Sequence, residues 1–383
     1  MARKGKKNTV DKEKMQNHMP EGKAKNPPMS KWKKALKTTQ KIVLRLVILC
    51  LFVASAAIGG VMALYKVGTG QINYVSEGSL KDANVSAELL YQKDIINILL
   101  IGADKRAKEE GSGRSDTTMI ATLDLNQGKI KLTSLMRDMY IEIPGHGKDK
   151  FNAAYAIGGP QLTYETIANT FGVKLDGYVV VDLKAFRKIV DSMGGVELKL
   201  TKAEAKYIQT AYQNSTHGVQ DVKAGKQTLT GYQALAYVRI RQDITGEFGR
   251  TDRQRKVLMS LYDQLMKKDA VTISNTVFGA LEYVTTDLDE EHIRSLMTSV
   301  ISMGQVTIEQ HRIPLERTYD DGRVEEKGNM WVMFPDYEAN KKALQYFMFE
   351  TGEAPEAVEY FNQGADDFLQ YEAPEKLEGS STY

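Results

Sequence analysis

The segment Ile95-Ile96-Asn97-Ile98-Leu99-Leu100-Ile101-Gly102-Ala103-Asp104 decides the fold class. Its short apolar run ends in Gly-Ala-Asp, which is typical of a strand buried on both faces of a sheet. Thr117 to Leu125 and Lys129 to Met136 follow as two further strands, and the Asn126-Gln127-Gly128 between them predicts a hairpin turn. We therefore predict a sheet that contains the strand at residues 95–101.

Helical patterns alternate with these strands. Pro160 suits the first position of a helix that runs to about Phe171. The strand-like segment 177–182 precedes a helix from Leu183 that stops at Gly194-Gly195. A further helix is expected to begin near Arg250. We predict an α/β protein, an α/β/α sandwich with a central mixed sheet.

Several familiar catalytic signatures are absent from the sequence. It holds no GxSxG, HExxH or GxxxxGK motif, and Gly111-Ser112-Gly113 lacks the third glycine of a dinucleotide fingerprint. The five histidines are scattered, and none has the spacing of metal ligands. The single cysteine excludes an intrachain disulfide framework and any site that needs several cysteines.

Two aspartates follow or precede predicted strands. Asp104 lies three residues beyond the buried apolar run, and Asp116 lies in Gly113-Arg114-Ser115-Asp116-Thr117 just before the next strand. Two carboxylates at strand ends, completed by water and substrate phosphate, suit Mg²⁺ or Mn²⁺. The alternative is that each aspartate only caps a turn.

Arginines collect in two stretches of the chain. Arg137 ends the strand that starts at Lys129, while Arg239 and Arg241 are two apart and would share one side of an extended segment. Arg250 and Arg253 are three apart and would share one face of a helix. Guanidinium groups bind phosphate oxygens bidentately, so we predict a phosphate or pyrophosphate site beside a divalent cation. A solvated basic patch is the alternative.

The charge distribution indicates a membrane protein. The whole chain of 383 residues has a net charge of +2, but residues 1–45 hold 14 basic against three acidic residues. The twenty residues 46–65 carry no charge, which is enough for a membrane-spanning helix. The positive-inside rule then places residues 1–41 in the cytoplasm and the folded domain outside the cell. A cleaved signal peptide is the competing interpretation.

The basic tail is better explained by topology and contact with anionic lipid headgroups than by nucleic acid, which we do not expect as a partner. The predicted organisation is a cytoplasmic tail (1–41), a signal-anchor helix (42–65), a linker or stalk (66–93), a catalytic domain (94–350) and an acidic tail (351–383). No ATP is available outside the membrane. The energy-rich phosphate must therefore arrive on the substrate, as in a polyprenyl-pyrophosphate-linked glycan.

At these residues the sequence resembles the LytR–CpsA–Psr family of cell-wall glycopolymer ligases. The resemblance covers roughly residues 94–350 and the topology of basic tail and anchor. It rests on ordered motifs: residues 97–104, 113–117, Ser134-Leu135-Met136-Arg137-Asp138, Lys150-Phe151-Asn152-Ala153-Ala154-Tyr155, Gly158-Gly159-Pro160, Arg239-Ile240-Arg241, Gly249-Arg250 and Arg253-Gln254. Glu247 stands where an aspartate is more usual in the family.

The resemblance implies transfer of an anionic glycopolymer, such as teichoic acid or capsule, from undecaprenyl pyrophosphate to a peptidoglycan hydroxyl. It implies Mg²⁺ at Asp104 and Asp116, and a lipid tail in an apolar tunnel among the helices. It places six residues around the pyrophosphate: Arg114, Arg137, Arg239, Arg241, Arg253 and Gln254. We add Arg250 to this set, and Glu247 or Asp243 as candidates for the base.

Two other functions use the same features. With water as the acceptor, the site would be a lipid-pyrophosphate phosphohydrolase. Without turnover, the domain would be a cell-surface protein that binds glycans or lipid headgroups. A transcriptional regulator is disfavoured, because the folded domain is predicted to lie outside the membrane.

Overall fold

A computed structural model of the chain describes residues 79–104, 113–211, 221–241, 246–304 and 306–351. The predicted cytoplasmic tail, the predicted anchor helix at 42–65, Asp243 and nearly all of the acidic tail lie outside these residues. None of the helices in the described ranges has the length and apolarity that crossing a membrane requires.

The described residues form twelve strands and eight α-helices. The strands are β1 (Ile95–Asp104), β2 (Arg114–Asp124), β3 (Lys129–Leu135), β4 (Tyr140–Ile143), β5 (Gly147–Lys150), β6 (Gly177–Asp182), β7 (Val196–Leu200), β8 (Gly225–Leu229), β9 (Val284–Thr286), β10 (Thr307–Ile313), β11 (Tyr319–Val324) and β12 (Met330–Pro335). The helices are α1 (Phe151–Phe171), α2 (Leu183–Ser192), α3 (Lys202–Ala211), α4 (Gly231–Val238), α5 (Gly246–Met266), α6 (Ala270–Leu281), α7 (Glu290–Met303) and α8 (Tyr337–Phe349).

Six strands form the central sheet in the order β10-β3-β2-β1-β6-β9. Strand β2 runs antiparallel to both of its neighbours, β1 and β3, whereas β10 pairs with β3 and β6 pairs with β1 in parallel. The sheet is therefore mixed, as predicted. Three two-stranded sheets, β4-β5, β7-β8 and β11-β12, lie outside it.

Strand β1 is buried on both faces, as its apolar run predicts. Leu99 and Ile101 belong to the core beneath α1 and α8, whereas Ile98 packs with residues of α6 and α7 on the other face. Successive side chains of a strand point to opposite faces, so a continuous apolar run serves two cores. Helices flank both faces of the sheet, which confirms the predicted mixed sheet with flanking helices.

A second apolar cluster lies beside the sheet. It joins α2, β7, β8, α4 and the middle of α5, with Val190, Val196, Leu229 and Ala234 fully buried. This packing fixes the end of α4 and the start of α5. Those two helix ends carry the arginines that the sequence singles out.

Part of the segment assigned to the linker packs on the domain. Leu80 is buried in the main core, and the Asn84 amide donates to Glu165 of α1 at 2.8 Å. The Leu90 amide donates to the Gly172 carbonyl, also at 2.8 Å. The packed structure therefore begins before residue 94, at least as far back as Leu80.

The predicted helix start at Pro160 is confirmed, but α1 also includes an earlier helical segment that was not predicted. A helical segment already begins at Phe151, and non-helical geometry at Gly158 and Gly159 separates it from the regular helix that starts at Pro160. Gly159 has a φ of 61°, and a Cβ on Gly158 would lie only 2.6 Å from that of Leu162. Both glycines are thus required for the chain to turn at this point.

Two local predictions are wrong. Helix α5 begins at Gly246 and not near Arg250, so Arg250 lies one turn inside the helix. The segment around Arg239 is not extended, because Arg239 caps α4 with helical backbone angles. A reciprocal capping box between Thr230 and Gln233 starts α4, and the buried apolar residues that follow hold it as a helix.

Candidate active site

The site begins at an irregularity between the first two strands. Ala103 pairs with Ser115 and Gly102 pairs with Thr117, which leaves Asp116 as the extra residue of a β-bulge. A bulge locally changes the direction of a side chain relative to the sheet. A Cβ on Gly102 would approach that of Thr117 to 3.0 Å, so the glycine allows the two strands to remain close at the bulge.

Arg137 occupies the centre of the cluster. It lies two residues beyond the end of strand β3, and its two terminal nitrogens reach different elements. Nη1 donates to Asp116 Oδ1 at 2.7 Å, and Nη2 donates to Glu247 Oε1 at 3.0 Å. One guanidinium thus joins the bulge of β2 to the first turn of α5.

Two more arginines contact the same carboxylates. Arg241 Nη2 lies 3.5 Å from Asp116 Oδ1, and its Nε lies 3.4 Å from Glu247 Oε1. Arg250 Nη1 lies 3.6 Å from Asp116 Oδ1, and its Nη2 lies 2.5 Å from Glu247 Oε2. Three guanidinium groups therefore surround two carboxylates, and one positive charge remains uncompensated.

Asp104 holds the fourth arginine. Arg239 Nη2 lies 3.7 Å from Asp104 Oδ2 at the end of β1. Arg239 and Arg241 are each 44% exposed, whereas Arg250 is 4% exposed. The first two can therefore meet a ligand from solvent, while Arg250 supports the cluster from beneath.

The surroundings shift the pKa of two of these arginines in opposite directions. Burial, followed by the repulsion of Arg137, lowers the pKa of Arg250 to about 10. For Arg137, burial also acts to lower the pKa, but Glu247, Asp138 and Asp116 outweigh it and raise the pKa above its ordinary value. Both side chains are cationic at neutral pH.

A lysine–aspartate pair that the sequence analysis did not assign to the site extends the cluster. Asp138 Oδ2 accepts from Arg137 Nε at 3.3 Å, and Asp138 Oδ1 accepts from Lys150 Nζ at 2.6 Å. Lys150 ends β5, which pairs with β4 directly after Asp138. The β4–β5 hairpin folds residue 150 back toward residue 138. A hairpin predicted at this point would have indicated the contact.

Three predicted site residues do not enter these contacts. Arg114 is exposed at the start of β2 and, within the described residues, makes no ion pair. Arg253 is buried and pairs with Glu204 of α3 at 2.9 Å. Gln254 is half-buried on α5. The structure thus brings together Asp104, Asp116, Arg137, Arg239, Arg241, Glu247 and Arg250.

Two contacts hold α5 against the end of β3. The Thr251 hydroxyl lies 3.7 Å from the Met136 sulfur, and Arg255 Nη1 donates to the Ser134 hydroxyl at 2.9 Å. Both contacts involve residues that closely precede Arg137, and they fix its distance from Glu247. They explain how a helix and a strand from separate parts of the chain keep three arginines together.

The residues present fit a hard divalent cation. Within the described ranges no group of three or more potential metal ligands occurs. Asp104 and Asp116 nevertheless lie on neighbouring strands. Each of them uses only one of its two carboxylate oxygens in ion pairs with described residues. Mg²⁺ commonly binds one or two carboxylates and completes its shell with water and substrate phosphate.

The arrangement is suited to a multiply charged phosphate. Guanidinium groups at close range repel one another unless anions separate them, and here Asp116 and Glu247 occupy that position. A pyrophosphate offers more oxygens in the same space and matches the fork geometry of arginine. The cluster therefore supports binding of a phosphate ester at the exposed side of Arg239 and Arg241.

Comparison with known proteins shows the family to which the chain is similar. The LytR_cpsA_psr family matches residues 63–345. The regulatory protein MsrR of Staphylococcus aureus strain COL is 33% identical over 258 residues, which are 67% of this chain and 75% of that protein. A polyisoprenyl-teichoic acid–peptidoglycan teichoic acid transferase, TagU of Oceanobacillus iheyensis, is 34% identical over 220 residues, which are 55% of this chain and 65% of that protein.

A solved structure extends the similarity to the fold. The family protein YwtF (TagT) with bound octaprenyl pyrophosphate lipid superimposes with a TM-score of 0.53 and 25% sequence identity. The match covers 72% of this chain and 99% of that one. With more than half of its length matched by the family and with the same mixed sheet and flanking helices, this chain belongs to the LytR–CpsA–Psr family.

Proposed function

We propose that the protein transfers an anionic glycopolymer from a polyprenyl pyrophosphate to a hydroxyl group of peptidoglycan. The single observation that carries this proposal is the group of three guanidiniums around Asp116 and Glu247, with Arg239 beside it. The name of the relative TagU and the lipid bound to TagT support the substrate class. Teichoic acid and capsule are the polymers we expect.

The reaction exchanges one phosphorus–oxygen bond for another. The acceptor hydroxyl oxygen attacks the phosphorus next to the glycan, and the bond from that phosphorus to the bridging oxygen breaks. Undecaprenyl phosphate leaves with the bridging oxygen, and the proton of the hydroxyl passes to a base. Such a transfer depends mainly on positioning and charge neutralisation, because the protein supplies little covalent chemistry.

The arginines take separate parts in this proposal. Arg239 and Arg241 are half-exposed and would bind the pyrophosphate as it arrives. Arg137 lies between the two carboxylates, at 2.7 and 3.0 Å from them. From this central position it would stabilise the charge that develops on the leaving lipid phosphate. Arg250 is buried behind them and would hold Glu247 in place.

Glu247 and Asp243 are the candidates for the base that accepts the proton of the acceptor hydroxyl. Both oxygens of Glu247 are engaged, Oε1 by Arg137 and Arg241 and Oε2 by Arg250. This arrangement favours an orienting role for Glu247 in the ligand-free protein. Binding of a pyrophosphate would draw the arginines away and free an oxygen to accept the proton. Asp243, the other candidate, lies outside the described residues.

Asp104 and Asp116 are the residues that would hold Mg²⁺. When bound, the ion would neutralise charge on the pyrophosphate oxygens. We also propose that the uncharged segment 46–65 anchors the protein in the cytoplasmic membrane with the domain outside. A polyprenyl substrate lies in that membrane, so an anchored domain would meet it without diffusing through solution.

The test is reconstitution of the full-length chain with a polyprenyl-pyrophosphate-linked glycan, peptidoglycan and Mg²⁺. We expect polymer covalently attached to peptidoglycan together with polyprenyl phosphate. Release of free phosphorylated glycan at the same rate with or without peptidoglycan would instead identify a phosphohydrolase. Binding without any turnover would identify a surface receptor.

A further inference from the structure

An exposed tryptophan lies beside the candidate active site. Trp331 of β12 is 37% exposed and is one of four large hydrophobic side chains exposed in the described part of the chain. Tryptophan combines a large apolar ring with one polar N–H, and it is enriched at binding interfaces. This ring plays no part in the pyrophosphate cluster, so its exposure needs a separate explanation.

A short series of contacts connects this ring to the reaction centre. Lys150 Nζ lies 6.0 Å from the centroid of the Trp331 ring. The same nitrogen donates to Asp138 Oδ1 at 2.6 Å, and Asp138 Oδ2 accepts from Arg137 Nε at 3.3 Å. The backbone reinforces the connection, because the Met333 amide donates to the Asp138 carbonyl at 2.9 Å.

The indole is held in place while part of it stays accessible. Its Nε1–H donates to Asp321 Oδ2 of the adjacent strand β11 at 3.1 Å. A ring fixed by a hydrogen bond loses little conformational entropy when a ligand stacks on it. The Asp321 carboxylate lies at the N–H edge of the indole and the Lys150 ammonium lies over one face, which leaves an apolar surface with polar groups beside it.

The charge around the hairpin formed by β11 and β12 restricts which ligand fits beside Trp331. Between residues 316 and 327 the exposed carboxylates Glu316, Asp320, Asp321, Glu325 and Glu326 outnumber the three basic residues. A net negative surface disfavours an anionic glycopolymer and an anionic membrane surface. A pyranose ring without phosphate, with C–H groups on one face and hydroxyls at its edge, matches an aromatic ring bordered by polar groups.

We infer that Trp331 forms a stacking platform for a sugar of the acceptor glycan strand, and that Lys150 and Asp321 border this subsite. The inference rests on the proposed transferase function, which requires an acceptor hydroxyl near Arg137. It deepens that function, since it separates the acceptor side of the site from the donor side at Arg239 and Arg241. The acceptor would reach the phosphorus from the side of the β11–β12 hairpin.

The kinetic test compares variants of the full-length chain at saturating lipid-linked donor, with soluble uncrosslinked peptidoglycan oligosaccharide as the varied acceptor. Trp331→Ala should raise the acceptor KM by roughly ten-fold and leave the donor KM unchanged. Trp331→Phe should retain most of the affinity. Tyr91→Ala is the matched control, because Tyr91 is also exposed with a lysine, Lys174, 4.2 Å from its ring centroid, but precedes the opposite end of β1.

A binding test is independent of turnover. The chain has two tryptophans, so Trp331 is the sole indole in a Trp32→Phe variant. The oligosaccharide should shift its fluorescence, and vesicles of anionic lipid should not. If the shift occurs but no polymer is transferred, the transferase proposal fails and the sugar subsite stands. An unchanged acceptor KM in Trp331→Ala, or a shift caused only by vesicles, would overturn the subsite.

Discussion

Asp116 and Glu247 contact the same three guanidinium groups, although one lies in a bulge of strand β2 and the other in the first turn of helix α5. Arg137, Arg241 and Arg250 each approach both carboxylates within 3.6 Å. The two acids therefore act as an internal substitute for the anion that the arginines are arranged to bind. Two kinds of variant can therefore be distinguished. Some remove an arginine that would contact the ligand, and others remove a carboxylate that takes the place of the ligand.

Removing an exposed cluster arginine should disable transfer without unfolding the protein. Arg241→Ala loses a proposed charge-assisted contact to the pyrophosphate, and Asp116→Ala loses both a proposed metal ligand and the partner of Arg137. We expect each to lower the initial rate of polymer attachment by a factor of about 10² to 10³. The melting temperature should be little changed in Arg241→Ala, whereas Asp116→Ala leaves three guanidiniums around Glu247 alone and should stay folded with a lower melting temperature. Lys226→Ala removes an exposed lysine that pairs with Glu197 and should keep the wild-type rate. Near-wild-type ligation by either cluster variant would refute the site assignment.

Glu247→Gln should destabilise the ligand-free protein. Without this carboxylate, three guanidiniums share only Asp116, and the neutral amide cannot offset their repulsion. Because the cluster is partly exposed, we expect a loss of about 1–2 kcal/mol in the free energy of unfolding, less than for a fully buried pair. Inorganic pyrophosphate should recover part of this loss by binding the folded state. Denaturant unfolding with and without pyrophosphate measures both effects, and an equal response in wild type and variant would contradict the explanation.

Transfer should require a divalent cation held by Asp104 and Asp116. Chelation with EDTA should stop polymer attachment, and Mg²⁺ or Mn²⁺ should restore it. Asp104→Ala should raise the Mg²⁺ concentration for half-maximal rate, because one of two protein ligands is lost. Asp149→Ala, which removes a partly exposed partner of Lys327, should leave this concentration unchanged. A rate that does not respond to chelation would exclude a metal role for the two aspartates.

Acid should weaken a partly buried ion pair at the end of α8. Hydrogen bonds from Lys131 and Gln127 lower the pKa of Glu350 from 4.5 to about 2, while the Lys131 side chain is fully buried. The folded state therefore binds this proton less readily than the unfolded state. The stabilisation is complete above pH 4.5 and is lost as the pH falls toward 2. Glu350→Gln should lower stability at pH 7 and flatten its decline between pH 4.5 and 2. Urea unfolding at several pH values measures this, with Glu316→Gln as an exposed control.

Local patterns predict the sheet well and the site only in part. The apolar run of β1 indicates burial on both faces because a strand with two covered faces needs no polar alternation. The turn at Asn126-Gln127-Gly128 and the strand at Gly177–Asp182 follow from equally local signals. These features depend on neighbouring residues alone, and that is why a single sequence suffices for them.

The arginine cluster depends on contacts between distant segments. The predicted extended geometry of Arg239 and Arg241 is wrong, since α4 reaches Val238, yet both side chains still meet carboxylates of the cluster. The capping box at Thr230 was a local signal for that helix. No local pattern could show that Arg253 pairs with Glu204, because 49 residues separate the two.

The bulge at Asp116 has a consequence for how the protein could lose its activity. Deleting one residue from 114–117 would let β1 and β2 pair without interruption, and an uninterrupted ladder gains a hydrogen-bonded position. The same deletion would remove the carboxylate or turn it to the opposite face of the sheet. An uninterrupted strand would thus give a more stable fold without the candidate site, so selection for thermal stability alone would work against this site.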